Sequence, residues 1–164
     1  MINIALDVLG GDLEDCEKIY GALNAVKCAK DLHVVLVGNE VLINSYLSED
    51  EFLSYTDNFS IIRSDKNFGM HESPSKILKT GKDSSLYKAV KEVKEESCVG
   101  IVSAGNTGAQ MAASLFVLGR IKNISRPGIA IPLPTRLGSS TLIDAGANVD
   151  SKPQNLLDFA LMGS

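Results

Sequence analysis

The sequence predicts an α/β fold: a mostly parallel sheet with helices on its faces. Three observations carry that prediction. Short apolar runs, IALDV and HVVLV among them, alternate with longer segments of helical periodicity. The first run is apolar at nearly every position, as a strand covered on both faces is, rather than strictly alternating. Glycine-rich and Asx-rich turns follow several of these runs, where a chain leaves a sheet for a helix.

Residues 2–8 read as the first strand, broken by Leu9-Gly10-Gly11-Asp12. Residues 15–30 place Ile19, Leu23, Val26 and Cys28 or Ala29 on one helical face. Residues 33–37 form a second strand closed by Gly38-Asn39, 41–47 a short helix, and 59–63 a third strand. Residues 65–83, with Gly69, Pro74 and Gly81, read as loop with some helix. Ser84 opens a charged helix with Leu86, Val90 and Val93 on one face and Lys88/Glu92 and Lys91/Glu95 paired at i,i+4 on the other. Residues 99–103 are a strand, 106–118 a helix, and 128–133 and 140–145 two further strands. Lys152-Pro153 begins a last helix, with proline in its first turn. The sequence shows no internal repeat and no linker, and it stops at Leu161-Met162-Gly163-Ser164 at the end of that helix.

Composition narrows the function. A net charge of −4 argues against a nucleic-acid binder, and the absence of Trp removes a stacking platform for single strands. Three cysteines, Cys16, Cys28 and Cys98, form no C-x-x-C pair; they suggest a reduced compartment, packing roles and no zinc site. No apolar run approaches a membrane span, and the N-terminus reads as an immediate strand rather than a signal peptide.

The candidate chemistry centres on Ser103-Ala104-Gly105-Asn106-Thr107-Gly108, which leaves a strand and opens a helix. Gly105 and Gly108 let backbone approach a ligand. Asn106 and Thr107 can cap the helix and donate to an oxygen. First-turn N–H groups face outward, where the helix dipole favours an anion. A plain strand-to-helix turn with an Asn cap fits the same residues. Gly100 and Gly105 have P-loop spacing, but Asn106 stands where that loop needs Lys, and no G-x-G-x-x-G is present. Asp7–Asp12 and Asp144–Asp150 repeat the combination of an acidic strand end and small residues. Three such turns after three parallel strands would converge on one sheet edge. His71 is a candidate general base or a surface loop histidine, and His33 reads as structural. Lys76, Lys79 and Lys82 are candidate cations, Arg126 is a candidate anion clamp, and Ser103 lies outside any nucleophile elbow.

Together the blocks DVLGGD (7–12), DLHVVLVG (31–38), ESP (72–74), KDSS (82–85), SAGNTGA (103–109), RP (126–127) and DAGANVDSKPQNLLDFALMGS (144–164) resemble bacterial phosphate acyltransferases of the PlsX type. They occur in that family's order along the whole chain, and SAGNTGA and GANVD are the specific ones. The resemblance implies a Rossmann-like α/β/α sandwich similar to the isocitrate/isopropylmalate dehydrogenases and phosphotransacetylases. It implies transfer of a fatty acyl group from acyl carrier protein to inorganic phosphate, without a cofactor or metal. The acyl phosphate would feed phospholipid synthesis through a membrane acyltransferase of the PlsY type. It further implies a cytoplasmic homodimer, peripheral at the membrane. Residues 1–164 would be the N-terminal part of the acyltransferase domain, with the family's second half absent, as a fragment or a shortened gene product.

For that chemistry an ionised phosphate needs no enzyme nucleophile; positioning and oxyanion donors remain. The expected catalytic residues are Asn106, Thr107, Asn148 and Asp144. The expected phosphate site is Ser103, Gly105, Asn106, Thr107, Gly108, Gly10, Gly11, Asp12 and Lys82. Asp7, Asp12 and Asp144 would orient loops or lysines rather than touch an anion. The sequence departs from the family where Leu13-Glu14-Asp15 follow GGD in place of His and Pro, and where Lys79-Thr80-Gly81-Lys82 replaces a more Arg-rich segment. A non-catalytic phosphate-binding module and a phosphotransacetylase-like enzyme using acyl-CoA are the alternatives.

Overall fold

The computed structural model describes residues 1–146, 148 and 150–164; Ala147 and Val149 of the turn expected at 144–150 lie outside the described residues. The chain divides into two compact units, Met1–Leu118 and Gly119–Ser164.

The first unit begins with β1 (Ile2–Asp7), α1 (Asp15–Cys28) and β2 (Leu32–Gly38). It continues with α2 (Glu40–Leu47), α3 (Asp50–Leu53), β3 (Phe59–Arg63), α4 (Ser85–Lys94), β4 (Gly100–Ser103) and α5 (Thr107–Ala113). The four strands make one all-parallel sheet in the order β3-β2-β1-β4. The alternation of each strand sends side chains to both faces. Leu6, Val34 and Leu36 meet Ile19, Leu23, Ile43 and Phe52 on one face. Ala5, Val35 and Val37 meet Ala89 and Cys98 on the other. A further cluster of Phe68, Ile77, Leu86, Val90 and Ala109 joins α4 and α5 to a 3₁₀ turn at Pro74–Leu78. The α/β/α layering expected from the sequence is therefore present.

The chain builds outward from β1 to β3, then crosses back to place β4 on the other side of β1. Such a reversal opens a crevice at the carboxyl ends of β1 and β4, because their following loops leave in opposite directions.

Local departures have physical causes. The helix expected at 106–118 ends as α-helix at Ala113 and continues as a π turn over Ser114–Leu118. Lys91 pairs with Glu95 at 3.0 Å, but Lys88 reaches the Arg63 carbonyl at 2.7 Å in place of Glu92. Cys98 is buried, which pushes its thiol pKa up, whereas Cys28 is exposed and does not pack as expected.

In the second unit, β5 (Ala130–Thr135) and β6 (Gly138–Ile143) pair antiparallel as a two-stranded ribbon, followed by α6 (Pro153–Gly163). Arg136 and Leu137 alone separate the strands, and Gly138 takes φ +136°. Two residues can close a hairpin but cannot make the crossover a parallel pair needs. The 144–150 turn thus follows an antiparallel strand, not a third parallel one. Pro132 and Pro134 are tolerated in β5 because a two-stranded ribbon leaves one edge of each strand free of ladder bonds.

Candidate functional site

Two of the three expected turns do come together. Register pairs Asp7 with Ser103 at the ends of β1 and β4, so the turns leaving these strands emerge side by side. A Cβ on Gly10 would lie 3.1 Å from Gly105 Cα, and one on Gly105 would lie 3.3 Å from Gly10 Cα. Gly11 takes φ +101°, and a Cβ there would lie 2.9 Å from the Ala104 carbonyl oxygen. Only glycine permits two backbones to pass at this separation. The result is a cleft floor made of main chain at the crevice where strand order reverses.

Beneath this floor the Ser103 hydroxyl donates to Asp7 Oδ2 at 2.7 Å and accepts from the Gly105 N–H at 3.0 Å. Asp7 is 1 % exposed, and its Oδ1 has no hydrogen-bond partner among the described residues. The pair locks the end of β1 to the start of the β4 turn. Lys18, one turn into α1, caps the other side: its ammonium donates to the Gly10 carbonyl at 2.9 Å and the Leu13 carbonyl at 3.1 Å, and pairs with Asp15 at 3.2 Å. Asp12 lies exposed at the tip of that turn.

Asn106 is the N-cap of α5, accepting from the Ala109 N–H at 2.9 Å. Its amide nitrogen donates to the carbonyls of Gly69, Met70 and Glu72, at 3.0–3.3 Å. An amide carries two hydrogens, so none is left for a substrate in this geometry. Asn106, expected as a helix cap and a substrate donor, is the cap, and its amide hydrogens staple the 69–72 loop over the turn. Gly108 serves a matching purpose: a Cβ there would lie 2.6 Å from Pro74 Cγ, so the glycine admits the ESP loop. Thr107 is exposed, and its hydroxyl makes no hydrogen bond among the described residues. The N–H groups of Thr107 and Gly108, first in α5, have no intrahelical acceptor. They are the donors left to meet an anion.

The expected cations lie at the surface. Lys76, Lys79 and Lys82 are exposed, and Lys82 has no side-chain partner among the described residues. His71 is exposed, while His33 bonds the Asp57 carbonyl and the Ser60 hydroxyl, as a structural histidine does.

The second unit holds its own polar turn. Asp144 accepts from the Ile129 N–H at 3.0 Å and from both the backbone and the side-chain N–H of Asn148 at 2.8 Å. Asn148 Nδ2 also donates to the Pro127 carbonyl at 3.1 Å. These bonds tie Asp144 into its own loop. Asn148, expected as an oxyanion donor, gives its amide hydrogens to that same loop. Arg126 donates to the Asp150 carbonyl at 3.3 Å rather than waiting as an open clamp.

Sequence reasoning named Asp7 and Ser103 but missed their pairing, and it missed Lys18 and the loop stapled by Asn106. The position of Lys18, seven residues past Gly11 and one turn into the helix that follows the bend, was the available signal.

The described residues contain no helix long and apolar enough to cross a membrane and no cluster of metal-ligating side chains. A family model described as "Fatty acid synthesis protein" matches residues 2–164. The chain is 45% identical over 162 residues to a phosphate acyltransferase of Halothermothrix orenii, which spans 99% of this chain and 48% of that protein. It is 43% identical to one of Clostridium tetani over the same shares, and 45% identical to one of Desulforamulus reducens over 100% of this chain and 48% of the relative. The chain thus spans about half the length of the curated relatives it matches. A family match of this extent, on a parallel α/β sheet whose SAGNTGA turn sits at the crevice, means that the chain belongs to the fatty acid synthesis protein family.

Proposed function

We propose that this protein is a phosphate acyltransferase, taking a fatty acyl group from acyl carrier protein and passing it to inorganic phosphate, with residues 1–164 the N-terminal part of the acyltransferase domain. One observation carries the reading: the Gly10-Gly11 and Ala104-Gly105 turns touch at the sheet's reversal point, forming a cleft of bare backbone beside open first-turn N–H groups. A phosphate is bound well by such groups, since several N–H dipoles meet it without a side chain intervening. The names of the relatives support the same chemistry.

Phosphate would rest against the Thr107 and Gly108 N–H groups, the Thr107 hydroxyl and the Gly10–Asp12 turn, with Lys82 as a mobile counter-charge. One of its oxygens attacks the thioester carbonyl carbon. The new C–O bond forms, charge develops on the carbonyl oxygen, and the C–S bond then breaks to release the carrier thiolate. The protein supplies alignment and donors rather than a nucleophile. Ser103, Gly105 and Asn106 act as positioning residues that fix the turn; Asp144 and Asn148 do the same for the second polar turn. With this reading go a cytoplasmic homodimer peripheral to the membrane, and a PlsY-type membrane acyltransferase that consumes the acyl phosphate.

The test is hydroxylamine-trapped acyl phosphate from palmitoyl-acyl carrier protein and phosphate, using the full-length protein. Hydroxamate that depends on both substrates is expected. Its absence with acyl carrier protein but presence with acyl-CoA would transfer the reading to a phosphotransacetylase-like enzyme, and its absence with both would end it.

A further inference from the structure

A groove of about 400 Å³ runs along the α1 face of the sheet, beside the edge strand β4. Its sheet wall is Ile4, Leu6, Val34 and Val102. Its helix wall is the small-residue stripe Gly21, Ala22 and Ala25 of α1. Leu32 closes one end, and Ala104 and Lys18 stand at the other. The lining is almost wholly carbon, with Lys18 its single charged member. Val102 is 54% exposed, so no side chain of the first unit fills the slot.

Two features say what belongs there. The first is continuity with the cleft described above. Ala104 both lines the groove and packs under Gly11, and the Lys18 ammonium at the groove's end holds the Gly10 carbonyl. The second is shape. From the level of Leu32 to Ala104 is about six residue steps along the strands, roughly 20 Å at ~3.3 Å per step. The helix wall is Gly and Ala, whose small side chains leave room for a chain beside the sheet. A Cβ on Gly21 would meet nothing within 4 Å, so empty space lies where a side chain would stand. A long apolar slot ending at the glycine turns assigned above to phosphate matches an unbranched acyl chain better than a ring system.

We infer that this groove holds the acyl chain of the donor, with the thioester placed at the Gly10-Gly11 and Ala104-Gly105 turns, and that Gly21 and Ala25 set the chain length accepted. The assignment rests on the acyl-transfer reading and adds a residue-level account of its specificity. Each methylene buried in such a slot contributes roughly a fourfold gain in affinity. Losing room for two or three methylenes therefore weakens a long chain by roughly tenfold or more and leaves a short one unaffected.

The experiment uses the full-length protein and the variants Gly21→Leu and Ala25→Leu on the helix wall and Val102→Phe on the sheet wall. Leucine is a strong helix former, so the first two keep α1 intact. Binding is read with cis-parinaric acid, a fluorescent long-chain fatty acid. Turnover is compared between palmitoyl- and decanoyl-acyl carrier protein, and folding is checked by circular dichroism. The expected result is at least tenfold weaker parinaric acid binding and a tenfold shift in preference toward decanoyl, with native folding. Unchanged binding and chain preference in folded variants overturns the groove and leaves acyl transfer standing. Parinaric acid binding that the variants abolish, without acyl phosphate from any donor, sinks acyl transfer and keeps the groove. Unfolding or loss of self-association in all three variants shows that protein fills the slot, and overturns the assignment.

Discussion

Gly10→Ala tests the contact on which the site depends. The added methyl would lie 2.3 Å from Asp7 Oδ2 and 3.1 Å from Gly105 Cα. The first is far inside van der Waals contact, and its target is a buried side chain already bonded to Ser103 at 2.7 Å. Either Asp7 moves and loses that bond, or the two turns separate. Overpacking of this kind costs about 1–3 kcal/mol, and the lost hydrogen bond adds about 1 kcal/mol. The sum is about 2–4 kcal/mol. With a urea m-value of about 1–3 kcal/mol/M, the midpoint falls by roughly 0.7–4 M. All four tyrosines, Tyr20, Tyr46, Tyr55 and Tyr87, lie in the first unit and Trp is absent, so tyrosine fluorescence follows that unit alone. Gly21→Ala is the control: its methyl meets open space within α1, where Ala is preferred over Gly by about 0.5–1 kcal/mol, so stability rises. A loss below about 0.5 kcal/mol for Gly10→Ala, or a loss for Gly21→Ala, would refute the geometry of the turns.

Two other outcomes follow from other hydrogen bonds of the chain. Asn106→Ser keeps an N-cap oxygen for Ala109 but removes the amide that holds three carbonyls of the 69–72 loop; about 1–3 kcal/mol is lost, and amide exchange at residues 69–72 rises while α5 stays protected, whereas unchanged exchange there would show that the amide is not the staple. In the second unit, hydrogen bonds from the Ser125 hydroxyl and N–H and from Gln154 hold the Asp158 carboxyl below its ordinary pKa. A depressed folded pKa contributes stability that is fully present above the unfolded value, about 3.9, and is lost as pH falls through the folded one. Asp158→Asn should therefore flatten the acid limb of the stability–pH curve; an unaltered limb would remove Asp158 as its source.

The sheet was legible because burial dictates composition. The strand expected at 59–63 is observed with those bounds, and β1, β2 and β4 differ from expectation by a residue at one or both ends. What was not legible depends on pairing across long sequence separations. Asp7 and Ser103 are 96 residues apart, and nothing local to either reveals that β4 returns beside β1. The same holds for Asn106, whose partners at 69–72 lie in the segment with the weakest periodicity. From the sequence, Asn106 looked like a donor awaiting a ligand because a cap and a binding group use the same residue types. The 130–143 region was misassigned for a different reason: runs at 128–133 and 140–145 left a gap long enough to hide a two-residue hairpin.

Asp7 is the residue at which the local rules give way. Buried strands of a parallel sheet favour apolar residues, and Ala5 and Val37 beside it obey that preference. Asp7 is nonetheless buried with one oxygen unpartnered among the described residues, a defect costing about 1–3 kcal/mol. A valine would fill the space at no such penalty. Stability alone therefore does not account for an acidic residue at this position. Its other oxygen fixes Ser103, Ser103 fixes the Gly105 N–H, and Gly105 must lie flat against Gly10 for the cleft floor to exist. A chain in which pattern, propensity and packing otherwise agree departs from them where a site is being held. The sheet's reversal point supplies the place, the glycines supply the room, and the buried carboxyl of Asp7 keeps the two turns in register.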